Sequence, residues 1–459
     1  RSADVRLLTA ELVETFSISP DGSEVVYSNA NGLWRVPLEG GEPEAIPAQP
    51  RLARQVHQPL LVRRVRLLDF ERHIFTPEAS LYIEDGQIVW VGSEKGREIP
   101  AQAIILDAAG RYAIPGLFDF HAHGGWSGPA GQTAFIAHGV TSVRDPASSL
   151  AVTRALASRG EVAGEPIPRY FSSGIPLQGA GSGGTAIVDN EPSARRYVSA
   201  RKQAGAHFIK IYPSLSWPLQ HAALRAANSA GLPPAGHGMS VEEIVRGLTR
   251  GYSTLEHSRS SGRVYGDVLL ALVSSGTRWD PTLVMQMGSV LLLREEPERL
   301  EDAMLVAFSS QECRDAALSA DLVKAEGDMM LRGMLAERLA SVYEAHAAGV
   351  LLQAGTDDHG APWLCLPGVS LHWELELLGR AGIEPAEVIK IATLQAAEAL
   401  GVDAHLGSLE AGKLADIVLL DANPLDDIRN TQTIWRVIKG GWLYDPDKLR
   451  PPESVKMTE

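Results

Sequence analysis

Between residues 115 and 400 short apolar runs alternate with helical segments, and no other feature of the chain narrows its fold as much. Parallel neighbours in a sheet need a crossover of a dozen or more residues, usually a helix, so this alternation predicts a parallel α/β sheet. Strands are expected at Leu117–His121, Thr141–Arg144, Arg169–Ser172, Phe208–Tyr212, Ala235–His237, Ser253–His257, Thr277–Asp280 and Leu351–Thr356. Eight strand-then-helix units over about 280 residues match the count for a (β/α)8 TIM-type barrel, which typically takes about 250. The surplus lies in 285–347, rich in Leu, Ala, Met and Glu, where two or three helices are expected before the last strand. Its stripe of Met329, Met330, Leu331, Met334 and Leu335 reads as helix packing rather than a cofactor box.

Both flanks read as β. Residues 58–114 hold an alternating run, Leu60–Leu68, and then Leu81-Tyr-Ile-Glu-Asp-Gly-Gln-Ile-Val-Trp-Val-Gly92, two strands around an Asp-Gly turn. Residues 401–459 carry Gly407–Asp421 and Ile434–Trp442, again strands and turns. The two flanks are expected to pair into one small β-sandwich beside a barrel spanning 115–400. Residues 1–57 stand apart: Ile18-Ser-Pro-Asp-Gly-Ser-Glu-Val-Val-Tyr27 is a turn and strand, and Gly32-Leu-Trp-Arg-Val36 a second strand. This stretch resembles one blade of a TolB-type β-propeller. It is expected to be a remnant or cut end of such a propeller, with a plain β-hairpin decorating the next domain as the alternative.

The charge balance, 56 acidic against 42 basic residues for a net −14, disfavours a nucleic acid or an anionic membrane as partner, since both require a cationic face. No run of 18 apolar residues marks a membrane-spanning helix. Cys313 and Cys365 form no C-x-x-C pair and are expected to be buried thiols, which leaves the compartment open. The sequence starts at Arg1 without Met, as expected of a chain whose leader has been removed or that was cut from a longer one.

In a barrel of this kind the chemistry sits at the C-terminal ends of the strands, and there the sequence is unusual. The first strand runs into Pro115-Gly-Leu-Phe-Asp-Phe-His-Ala-His-Gly-Gly125. Alternation puts Asp119, His121 and His123 on one face, where two imidazoles can share a divalent metal. The fourth, His207-Phe-Ile-Lys-Ile-Tyr212, holds Lys210 inside an apolar run, a costly place for an ammonium unless it is neutralised or paired. The fifth ends at His237, the sixth at His257, and the eighth at Asp357, followed by Asp358 and His359. Six metal-competent groups, His121, His123, Lys210, His237, His257 and Asp357, thus fall at the ends of expected strands.

This pattern resembles the amidohydrolase superfamily, in its imidazolonepropionase-like and prolidase-like branch, over roughly residues 58–445. The resemblance is carried by Pro115-Gly-Leu-Phe-Asp-Phe-His-Ala-His, His138-Gly-Val-Thr-Ser-Val-Arg-Asp145, Phe208-Ile-Lys-Ile, Glu256-His257, Gly355-Thr-Asp357 and the tail Gly407-Ser-Leu-Glu-Ala-Gly-Lys-Leu-Ala-Asp-Ile-Val. With the blade-like start, the chain looks like the hydrolase part of propeller–amidohydrolase fusions. The resemblance implies two divalent metals, commonly zinc, with His121, His123 and Asp357 on one and His237 and His257 on the other. Lys210, carbamylated by CO2, would bridge them. It further implies hydrolysis of a C–N bond, of amide, peptide-like or cyclic amide type, by a metal-bridging hydroxide, with Asp357 as general acid and base. Tyr212, one pleat beyond Lys210, is either a donor to the developing oxyanion or an aromatic wall. His359 would contact substrate or support another residue. Arg144 and Asp145 are expected to form a structural ion pair.

Three other readings remain open. Mononuclear deaminases of small heterocycles resemble this pattern, but usually lack the lysine and carry a glutamate within about three residues of the fifth-strand histidine. Here Gly238-Met-Ser-Val follows His237, and Glu242 stands further along. Esters, carbamates or lactones are alternative substrates. A non-catalytic binding module would require a decayed ligand set, and none of the six groups is missing. The expected substrate is a small molecule or short peptide, selected by loops 124–134, 174–190, 213–220 and 358–370. Trp126, Trp217 and Trp363 in these loops are either pocket walls or plain packing. The Gly179-Ala-Gly-Ser-Gly-Gly184 loop lacks a phosphate-loop ending and reads as a lid or substrate loop. A homo-oligomer is possible, with no interface signal in the sequence.

Overall fold

The computed structural model describes residues 13–29, 32–46, 57–180, 186–238, 240–257, 263–264, 266–319, 328–358 and 366–451. Four antiparallel strands, Val13–Ile18, Glu24–Asn29, Gly32–Pro37 and Glu44–Ile46, form a sheet in simple sequential order. Among the described residues none of them pairs with the neighbouring sheet. Four strands in meander order are what one propeller blade contains.

A nine-stranded sheet joins the two flanks. Its order is Trp442–Tyr444, Ile434–Lys439, Ile417–Leu420, Tyr112–Pro115, Leu60–Asp69, Ala79–Glu84 and Gln87–Gly92, with Ile74–Phe75 and Ile104–Asp107 also pairing Leu60–Asp69. The seam is antiparallel, Tyr112 opposite Leu420 and Pro115 opposite Ile417. Alternation sends Leu60, Val62, Leu81, Ile83, Ala113, Ile417 and Leu419 into one apolar core. The Asp85-Gly86 turn behaves as its sequence demands: both residues have positive φ, 48° and 79°, the mirror-image turn that matches the twist of a hairpin. A side chain at Gly86 would meet the Gly440 carbonyl oxygen at 2.8 Å.

Between the flanks lies a mixed α/β region with two parallel sheets. Leu117–Asp119, Val140–Asp145 and Arg169–Ser172 form the first three strands, and Ile209–Ile211, Pro234–His237, Thr254–Glu256 and Arg278–Asp280 the next four. Single hydrogen bonds link the sheets at both margins. On one side His207 N donates to Ser172 O (2.9 Å) and Leu177 N to Lys210 O (2.9 Å). On the other, the run expected as an eighth strand, Leu351–Thr356, makes a bridge at Leu352 to Trp279 rather than a strand. Its Gln353 N donates to Trp279 O (2.8 Å), and Phe120 N donates to Ala354 O (2.9 Å). Gly355 explains part of the irregularity, since a Cβ there would lie 2.3 Å from Asp280 Oδ2 and 2.7 Å from His121 N. Ile209, Ile211, Leu255, Trp279, Leu352 and their surrounding helices bury one continuous core.

The segment before Leu351 is more broken than expected. A π turn at Val284–Gly288 leads into Ser289–Glu295, Pro297–Glu301, Ala303–Phe308, Gln311–Ser319 and Asp328–Ala348. Pro297 opens its own short 3-10 turn, where its missing N–H costs nothing. The methionine stripe divides: Leu331 and Leu335 are buried, whereas Met329 and Met330 are 85% and 66% exposed. Adjacent helical positions lie about 100° apart, so one stripe cannot bury all five side chains. Cys313 is disulfide-bonded rather than a free thiol, a pairing that spacing alone does not reveal; Cys365, the other cysteine, lies outside the described residues. No helix among the described residues is long and apolar enough to cross a membrane.

Candidate metal centre

The side chains singled out in the sequence converge at the C-terminal ends of the parallel strands. His121 and His123 follow Leu117–Asp119, and the backbone beyond them is clamped to the run ending at Asp357. Thr356 N and Asp357 N both donate to His121 O (3.0 and 2.6 Å), and His123 N donates to Asp358 O (2.7 Å). Asp119, on the same strand face, is buried lower down, where it accepts from His121 N (3.2 Å), Thr356 N (3.1 Å) and Thr356 Oγ1 (2.7 Å). It therefore fastens the two chain segments together, and burial raises its pKa to about 8.

Asp357 is the hub. Its Oδ1 lies 2.9 Å from His123 Nε2 and 3.3 Å from His121 Nε2, and its Oδ2 lies 3.8 Å from His257 Nδ1. The rings stand close: His121 to His257 at 4.8 Å, His237 to His257 at 4.6 Å and His121 to His123 at 5.7 Å between centroids. His257 and Asp357 both have positive φ, 72° and 56°, a backbone state that costs about 1–3 kcal/mol for a residue with a side chain and gathers at functional sites. Burial raises the pKa of Asp357, but its interactions with His257 and His121 and the hydrogen bonds from His121 and His123 outweigh this and hold the carboxyl well below its ordinary value. Burial also depresses His257 to about 3, and His237 well below its ordinary value with Lys210 adding to the effect. Neutral, each of these two imidazoles offers one bare nitrogen and keeps its proton on the other.

Lys210 sits in Ile209–Ile211, 1% exposed. Its Nζ has no hydrogen-bond partner among the described residues and lies 6.0 Å from the Tyr212 ring centroid. Burial lowers it to about 8, against the upward pull of Glu256 and Asp357. Tyr212 packs edge-on to His237 at 4.9 Å, and burial raises its hydroxyl to about 12, so it remains a donor at neutral pH.

The donor chemistry fits divalent metals. His121, His257 and Asp357 bring ligand atoms within 4.8 Å of one another. A buried amine without a partner beside four imidazoles and a carboxylate is an arrangement with an uncompensated polar cost. Imidazole and carboxylate ligands suit zinc, and a carbamate on Lys210 would add anionic oxygens.

Several side chains beyond the expected set belong to the site. Glu256, fully buried, accepts from Arg144 Nη1 at 3.0 Å and from Thr254 Oγ1 at 2.6 Å, and its Oε2 lies 2.7 Å from His121 Nδ1. Asp280 lies 4.0 Å from His121 Nδ1 with both oxygens buried and unpartnered among the described residues; burial and the charges of Glu256 and Glu374 hold it well above its ordinary pKa. Thr282 Oγ1 contacts His257 Nδ1 at 3.0 Å. The expected Arg144–Asp145 pair does not form, because neighbours on a strand point to opposite faces. Arg144 turns to Glu256, whereas Asp145 accepts from Gly125 N (2.9 Å), Ala147 N (3.0 Å) and Ser148 N (2.7 Å) and braces the loop after His123.

Trp126 in that loop is 56% exposed, and its indole stacks on His123 at 4.7 Å with an 11° interplanar angle. Trp217, by contrast, starts the helix Trp217–Ala230 and packs under the Arg246 guanidinium at 4.2 Å. His359, Trp363 and residues 181–184 of the glycine-rich loop lie outside the described residues. Glu243, one residue beyond Glu242, lines with His237 and Tyr252 a cavity of about 10 Å³.

The chain is similar to known proteins over most of its length. Over 435 residues the chain is 26% identical to ochratoxinase from Aspergillus niger, covering 81% of this chain and 84% of that protein. It is 25% identical over 414 residues to imidazolonepropionase from Symbiobacterium thermophilum, covering 79% and 86%. The crystal structure of a putative prolidase from Bifidobacterium longum superimposes with a TM-score of 0.68 at 25% identity, over 86% of this chain and 98% of that one. The model of the amidohydrolase family matches residues 112–443, and since that span covers most of the chain, this protein belongs to the amidohydrolase family, whose members are metal-using hydrolases.

Proposed function

We propose that the chain is a binuclear metal-dependent hydrolase that cleaves a C–N bond of an amide, short peptide or cyclic amide. The observation that carries this reading is the meeting of a buried Lys210, without a hydrogen-bond partner among the described residues, with His121, His123, His237, His257 and Asp357. We read the two parallel sheets as one (β/α)8 barrel, supported by the hydrogen bonds that join their margins through Leu177 and through Leu352–Ala354. On this reading residues 115–400 are the hydrolase domain, 58–114 with 401–459 the sandwich, and 1–57 a blade-like appendage.

His121, His123 and Asp357 would hold one metal and His237 and His257 the other, with a carbamate on Lys210 between them. When bound, such a pair supplies Lewis acidity and lowers the pKa of water to near neutrality. The chain's own groups do the rest. Asp357, held ionised, takes the proton released by the nucleophile and passes it to the leaving nitrogen at the same carboxylate. Tyr212, still protonated at neutral pH, donates to the oxygen that gains charge. The positive-φ turns at His257 and Asp357 aim both side chains inward, so little reorganisation is needed when substrate arrives.

One observation favours the mononuclear deaminase reading, namely that Glu243 comes to the same small cavity as His237. Lys210 opposes it, because a single metal leaves that amine without a partner. Metal analysis separates the two readings. Two metals per chain, with the second lost in Lys210→Ala, support the hydrolase. Full activity with one tightly held metal, or release of ammonia from an aminated heterocycle without cleavage of any N-acyl amino acid, dipeptide or lactam, would refute it.

A further inference from the structure

A metal-binding imidazole must present a bare nitrogen, and which of its two nitrogens is bare depends on the acceptor that takes the proton from the other. His121 has carboxylates on both sides. Glu256 Oε2 lies 2.7 Å from Nδ1, and Asp357 Oδ1 lies 3.3 Å from Nε2. The two are not equivalent. Glu256 Oε1 is already engaged, accepting from Arg144 Nη1 (3.0 Å) and from Thr254 Oγ1 (2.6 Å), while Thr254 Oγ1 itself accepts from Arg144 Nη2 (2.9 Å). Arg144 cannot drift, since its guanidinium is clamped between the Phe120 and Phe208 rings at 4.5 and 3.9 Å. Every member of this chain is at least nine-tenths buried.

We infer that Glu256, locked by Arg144 and Thr254, is the positioning residue that fixes His121 with its proton on Nδ1 and its Nε2 lone pair turned toward Asp357. Both oxygens of Glu256 are committed, one to the Arg144–Thr254 pair and one to His121, so the carboxylate has no freedom to rotate. A neutral amide in its place reverses the arrangement. Its single oxygen stays with Arg144 and Thr254, its NH2 faces Nδ1, and the ring proton moves to Nε2, where a metal is to bind. The link from this tautomer to metal affinity rests on the binuclear reading above; the tautomer itself does not.

Nitrogen NMR of the imidazoles in metal-free protein, at about pH 9 where an ordinary histidine is neutral, reads the tautomer directly. His121 is assigned by its absence in His121→Asn. A proton on Nδ1 with Nε2 bare is expected. A proton on Nε2, or on both nitrogens, overturns the inference whether or not the protein binds metal. Glu256→Gln is expected to bind its first zinc ion about 10–100-fold more weakly, as loss of such a supporting partner typically does, read by competition with a chelating dye. Unchanged affinity in a variant with the parent's circular dichroism overturns the inference. If Glu256→Gln does not fold, the tautomer of the parent still decides. If the parent binds no zinc, the hydrolase reading falls, and the tautomer result stands by itself.

Discussion

Replacing Lys210 with methionine is expected to stabilise the metal-free protein, although it removes a residue central to the proposed site. The amine is buried in Ile209–Ile211 without a hydrogen-bond partner among the described residues, and burial lowers its pKa from 10.5 to about 8. The unfolded chain therefore keeps its proton up to about pH 10.5 while the folded one releases it near pH 8. Between those limits the unfolded state holds more protons, so stability rises with pH. Below pH 8 the folded protein carries the whole cost of the buried charge. At about 1.4 kcal/mol per factor of ten in proton affinity, the fall from 10.5 to about 8 amounts to about 3 kcal/mol. Methionine matches the stem of lysine closely and carries no charge, so Lys210→Met recovers most of that cost at pH 7. Urea unfolding of metal-free, CO2-depleted protein should show the variant more stable by about 2–3 kcal/mol. The gap should narrow steadily as the pH is raised above 8. Adding zinc and bicarbonate should invert the order, because only the parent can then turn the amine into an anionic ligand and gain binding energy on the folded state. A metal-free variant less stable than the parent at pH 7, or a gap indifferent to pH, would show that Lys210 is not a desolvated ammonium and would remove the physical motive for its carbamylation.

Tyr212→Phe should lower kcat by about 10²-fold with little change in KM if the hydroxyl donates to the developing oxyanion; steady-state kinetics on an N-acyl amino acid checks this, and an unchanged kcat would leave the ring as a wall only. Trp126→Ala should raise KM for substrates with an aromatic acyl group more than for an acetyl analogue, because the exposed indole stacked on His123 offers a flat apolar face; an equal change for both would make Trp126 a cover for the ligand. Cys313 should resist alkylation in protein purified without reductant and react once reductant is added, as a disulfide at that position requires; a free thiol at Cys313 before reduction refutes it.

Groups that are neighbours along the chain are legible in the sequence, whereas those that only folding brings together are not. His121 and His123 were legible because a period of two places them on one face of a strand and nothing local competes. Lys210 was legible because an ammonium between two isoleucines has no cheap bland explanation. Glu256, a carboxylate in the three-residue buried strand Thr254-Leu-Glu256, is out of place for the same physical reason. The pairing of Arg144 with Glu256 crosses from the second parallel strand to the sixth, from one sheet to the other, and no spacing rule reports such a contact. Adjacency suggested Asp145 as the partner of Arg144 because unlike charges stand side by side in the chain, yet alternation alone argues against that pair.

The strand at Leu351–Thr356 failed for a related reason. Its composition is that of a buried strand, but Gly355 is squeezed between His121 and Asp280, and the hydrogen bonds of the following residues go to His121 O rather than to a regular ladder. The irregular backbone is what turns Asp357, at a positive φ, toward three imidazoles. Local pattern thus identifies which residues are chemically out of place, and tertiary competition decides what each is bonded to. Where a functional side chain must leave the regular lattice of a sheet to reach its partners, the regular-structure expectation fails at that point, so a missed strand next to a conspicuous acid is itself a sign of the site.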